Sequence, residues 1–163
     1  MRIVRRLVAL LLAVAVLEAG HPAMAAGHGS MSTCSMFTAR DASAVLGGKA
    51  TRTMSQKLGL FTSCDYATPK PYRLIITLAA TTTSIEKQRH GTTASAMFAA
   101  NRKTAGQTTT VKRLGDRAFY IPGLHQLWVL KSDVVFNNTG ESGGTQLSKK
   151  ALIKAAKLVL KHL

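Results

Sequence analysis

The chain has 163 residues, 46% of them apolar and 6% aromatic, enough for one domain with a single core and too few for the two β-barrels of a chymotrypsin-like protease. Twenty-two Lys and Arg stand against seven Asp and Glu, a formal net charge of +15. That excess implies attraction to polyanions such as nucleic acid, anionic envelope lipid or acidic glycan, with a merely solvated basic surface as the alternative.

The first 25 residues read as a cleavable signal peptide. Arg2, Arg5 and Arg6 form a positive head, Leu7 to Leu17 is an unbroken apolar run, and Ala23-Met24-Ala25 supplies the small residues of a cleavage site. The run is shorter than the roughly 20 residues that span a membrane, and Gly20 and Pro22 follow it, so an uncleaved anchor is the lesser reading. Cleavage after Ala25 removes three arginines and one glutamate, which leaves +13 on residues 26–163. Residues 26–33 are Gly- and Ser-rich and read as a flexible arm, and residues 34–163 as one domain. The expected location is the periplasm or the medium. There, Cys34 and Cys64 are most simply a disulfide pair, and two separate buried thiols are the alternative. A bridge between them closes a loop of about 30 residues, worth roughly 3–4 kcal/mol.

Along the domain, Thr38 and Asp41 make a capping box that starts a short helix, ended by Gly47-Gly48. Residues 50–57 and 60–67 read as a hairpin, and alternation from Tyr72 to Ala80 gives a third strand. Thr83 and Glu86 make a second capping box, opening a helix over 84–104 that Gly91 and a run of Thr weaken. Strands are expected at 108–113, 117–121, 125–131 and 133–138, with turns at Pro122-Gly123 and Ser132-Asp133. Ser148 then caps a helix over 148–162. Leu152, Ala155, Ala156, Val159 and Leu163 share its apolar face, and Lys150, Lys154, Lys157 and Lys161 form a stripe opposite. The order α-β-β-β-α-β-β-β-β-α predicts an α+β domain, an antiparallel sheet with helices packed on it.

Cys34-Ser35-Met36-Phe37-Thr38, Leu46-Gly47-Gly48, Cys64-Asp65-Tyr66 and Leu114-Gly115-Asp116-Arg117-Ala118 form a recognisable series. It resembles a family of small exported bacterial domains of unknown function, many of them lipoproteins, with the pattern C-S-L-L…L-G-G…C-x-Y…G-L-G-D-x-A. The resemblance implies a disulfide between the two cysteines and an α+β fold. It implies no activity. The chain departs from the pattern in having no lipidation cysteine and in being so basic.

Candidate chemistry is sparse. Gly140-Glu141-Ser142-Gly143-Gly144 matches G-x-S-x-G between an expected strand and helix, the setting of a nucleophile elbow. No acid follows Ser142, and the only histidine after it is His162, so a serine-hydrolase triad cannot be completed in the usual order. His90, His125 and His162 lack zinc-ligand spacing. Phe119, Tyr120, Trp128 and Phe136 read as core, with an aromatic platform for bases or sugars as the other possibility. After cleavage the chain begins Ala26-Gly27-His28, where a free amine, two backbone amides and an imidazole can hold Cu(II) or Ni(II) in a square plane. Met31 and Met36 add soft ligands that suit Cu(I).

The sequence therefore points to an exported, non-enzymatic binding module. Its basic surface, with Lys150, Lys154, Lys157 and Lys161 foremost, is expected to meet an anionic partner, and no cofactor is required. The alternatives are a periplasmic copper- or nickel-binding protein working through Ala26, Gly27 and His28, and a small hydrolase working through Ser142.

Overall fold

The computed structural model describes residues 32–58, 61–69, 74–142 and 144–163. The expected signal peptide, the arm as far as Met31 with its Ala26-Gly27-His28 site, and Tyr72 lie outside them. Within them the chain is an α+β domain built on one antiparallel sheet of eight strands. No described helix is long and apolar enough to cross a membrane.

A single helical turn, α1 (Thr33–Met36), precedes α2 (Ala39–Leu46). Thr38 caps α2 in the expected box: its hydroxyl accepts from the Asp41 N–H, while its own N–H donates to the Asp41 carboxylate at 2.9 Å. Strands β1 (Thr51–Leu58), β2 (Phe61–Ala67) and β3 (Leu74–Thr82) follow as an antiparallel meander, with a bulge in β1 between Arg52 and Met54. Cys34 on α1 is bonded to Cys64 on β2, with the Cα atoms 5.4 Å apart, so the bridge fixes the first helical turn to the sheet.

The single helix expected over 84–104 is two helices, α3 (Thr83–His90) and α4 (Ala94–Thr104). Gly91 takes a left-handed φ of 62° that ends α3, and the Thr93 hydroxyl accepts from the Ala96 N–H to start α4. The cap of α3 is Thr82, not Thr83, and Glu86 does not close a box. Its buried carboxylate accepts instead from the Thr81 hydroxyl at 2.9 Å.

The strand expected at 108–113 is only Thr109–Thr110, β4. After it Val111 donates to Ala118, and the chain loops out through Arg113 and Gly115, both left-handed. Strands β5 (Arg117–Ile121) and β6 (Gln126–Lys131) are joined by a 3-10 turn at Pro122–Leu124. Strand β7 (Val134–Ser142) runs four residues past its expected end because β3 pairs it over its whole length, from Leu74 opposite Ser142 to Thr82 opposite Val134. A two-residue β8 (Thr145–Gln146) folds back on β7, and α5 (Lys149–Val159) closes the domain. The strands lie in the order β1-β2-β3-β7-β6-β5-β4.

Period-two alternation divides the sheet residues between two cores. One face carries Tyr66, Leu78, Tyr120, Leu127, Val129 and Phe136 against α1, α2 and α5. The other carries Phe119, Ile121, Trp128, Leu130 and Val135 under Ala94 and Phe98 of α4. The four expected aromatics are thus all core, two on each face. Leu152, Ala155, Ala156 and Val159 of α5 are buried as expected. Leu163 is not: the helix stops at Val159, and Leu163 is 40% exposed beyond it.

Candidate anion-binding surface

Of the four lysines in the stripe, Lys150, Lys154 and Lys157 project from α5 and Lys161 from the turn that follows it, and all four are exposed. Their helix is held from the other side by the buried apolar residues and by Asn138, whose side-chain amide donates to the Leu152 carbonyl at 3.0 Å. The lysines are not equivalent. Lys154 donates to the Ala44 carbonyl and so ties α5 to the end of α2. Lys149, which adjoins the stripe, lies over the Tyr120 ring at 5.3 Å.

Acidic groups do little to balance the basic ones. Among the described residues there are two ion pairs, Lys131 with Asp116 at 3.0 Å and His162 with Asp41 at 3.3 Å. Burial opposes the charge of Asp41, but the Thr38 N–H and hydroxyl that donate to it, with His162 nearby, hold its pKa below the usual carboxylate value. The Ser132 N–H and the Lys131 ammonium, which both donate to Asp116, lower that group too. These carboxylates are committed to caps and turns and leave the lysine stripe unneutralised.

A second basic region draws on two dipeptides that are separate in the sequence, Arg102-Lys103 and Lys112-Arg113. The fold brings Arg102, from the last turn of α4, beside the loop Val111–Asp116 and Arg117 of β5, where they line an open cleft of about 260 Å³. Arg102 donates to the Thr110 hydroxyl at 2.9 Å. Arg117 donates to the Ser95 hydroxyl and covers the Phe98 ring at 5.1 Å. The loop itself is pinned: Leu114 is buried, Gly115 lies against the β6 backbone, and the Asp116 N–H donates to the Leu130 carbonyl at 2.9 Å.

The other sequence candidates are dispersed. Ser142 ends β7 and is followed by β8, so the strand-turn-helix setting expected for it is not present; its side chain is outside the described part. His125 sits in a left-handed turn with its Nδ1 3.2 Å from the Tyr120 hydroxyl, and His162 reaches Asp41. The side chain of His90 is outside the described part. Among the described residues no three His, Cys, Asp or Glu side chains converge as a metal site. Comparison with family models, curated proteins and solved structures returns no match.

Proposed function

We propose that the protein is an exported, non-enzymatic binding module that docks on an anionic polymer or surface through the lysine face of α5. The observation that carries this reading is the exposure of Lys150, Lys154 and Lys157 along α5 and of Lys161 in the turn that follows it, with no acidic partner in the ion pairs of the described residues. Like charges at helical spacing repel and cost a few tenths of a kcal/mol per pair, so beyond the Lys154 tether their grouping is not explained by stability. Their gain comes on meeting a polyanion, where each neutralised phosphate or sulfate releases counterions.

Binding of this kind weakens steeply with salt. The protein should be retained on heparin or on anionic vesicles at low ionic strength and released by about 0.5 M salt, where the Debye length is only a few Å. Changing Lys150, Lys157 and Lys161 to Gln removes three charges and spares the Lys154 tether. The slope of log K against log [salt] should then fall by about 2 to 3. Retention with an unchanged slope, in a variant whose circular dichroism matches the parent, would overturn the proposal.

A further inference from the structure

We propose that the cleft between the C-terminal turn of α4 and the Val111–Ala118 loop is a site for a tetrahedral oxyanion, a phosphate or sulfate group. It deepens the polyanion reading by naming the group recognised, and it stands on residues that α5 does not supply. Four cations, Arg102, Lys112, Arg113 and Arg117, line the cleft. Its one acidic residue, Asp116, is already engaged by Lys131 and by the Ser132 N–H. The net field at the cleft therefore favours an anion.

Two of the guanidinium groups are held in place before any ligand arrives. Arg102 is bonded to Thr110, while Arg117 is bonded to Ser95 and stacked over Phe98. A guanidinium carries five N–H donors in a planar fork, so one bond to a hydroxyl leaves donors for a bidentate contact with an oxyanion. The size agrees: about 260 Å³ is below the usual range for a drug-sized ligand, yet ample for one phosphate or sulfate group.

Arg113 supplies an independent sign. Its φ is 58°, a conformation in which glycine is comfortable and a long side chain is not. The residue is exposed and packs into neither core, so stability does not explain an arginine there. Strain kept at an exposed charged residue on the rim of a cleft points to the use of that charge.

The test uses the full processed protein labelled with 15N, titrated with sodium phosphate and with sodium sulfate at constant ionic strength, with sodium chloride as control. Saturable shifts of the Lys112–Arg117 amides with phosphate or sulfate, and none with chloride, are expected. The tighter of the two anions identifies the source as a phosphate or a sulfate ester. Arg113→Gly should weaken binding roughly ten- to hundredfold, the loss of one charge-assisted bond. It should melt at the same temperature as the parent or higher, because glycine relieves the left-handed strain. Shifts that do not saturate, that chloride reproduces, or that persist unchanged in Arg113→Gly would overturn the proposal. The Lys150/Lys157/Lys161→Gln variant should bind free phosphate like the parent, so failure of this site and failure of the α5 surface are separable.

Discussion

At Gly115 a single hydrogen atom decides the fit. A Cβ there would come within 2.5 Å of the Leu130 carbonyl oxygen and 2.8 Å of Val129 Cγ1, on a residue whose φ is 60°. Neither backbone nor buried valine can move aside. Gly115→Ala should cost on the order of 3 kcal/mol, read from denaturant midpoints, through overpacking and backbone strain together. At Asp41 the decisive quantity is a proton. Its folded pKa lies below the ordinary value of 3.8, so the native state holds fewer protons than the unfolded chain in that window. The stability it confers is complete above about pH 4 and is lost as pH falls through the depressed value. Asp41→Ala should lower stability by about 1 kcal/mol at neutral pH and flatten the acid limb of the pH–stability curve. The Thr38–Asp41 box was legible because a capping box is a local pattern. The partner of His162 was not, since it lies more than a hundred positions away in the chain.

Elements were legible wherever their pattern closed on itself. The burial of Leu152, Ala155, Ala156 and Val159 follows from helical spacing alone, and β5 (Arg117–Ile121) falls on its expected residues. Errors came where a neighbour sets the limit. Strand β7 continues through Gly140 because β3 supplies partners for its backbone, which no local signal in Gly140-Glu141-Ser142 announces. The break between α3 and α4 was readable in principle. Gly91 followed two residues later by a capping Thr93 is a stop and a start in succession, a stronger signal than weakness within one helix. The basic cleft was invisible for the same reason as β7: Arg102 and Arg113 meet only because α4 and the β4–β5 loop are brought to one edge of the sheet.

For the molecule as a whole, the class, the antiparallel sheet and the pairing of Cys34 with Cys64 were expected and are present. The two-sided core was not specified, because alternation assigns residues to faces without saying which helix covers each. Covering both faces makes the bridge one support among several. Cys34→Ser should still cost about 2–5 kcal/mol, the usual loss in a small disulfide-bonded domain. Non-reducing peptide mapping of the purified protein should join the Cys34 and Cys64 peptides, and reduction should lower the melting temperature.

The bulge in β1 has a consequence for self-association. Among the described residues β1 pairs only with β2, so its outer backbone N–H and C=O groups form an open edge of eight residues. Such an edge is a template for a second copy of the same chain. The bulge breaks the regular spacing that an incoming strand must match, and Arg52 and Lys57, both exposed, give the edge a positive charge that a second copy would meet with the same charge. On this strand positive charge opposes the edge-to-edge pairing of two copies.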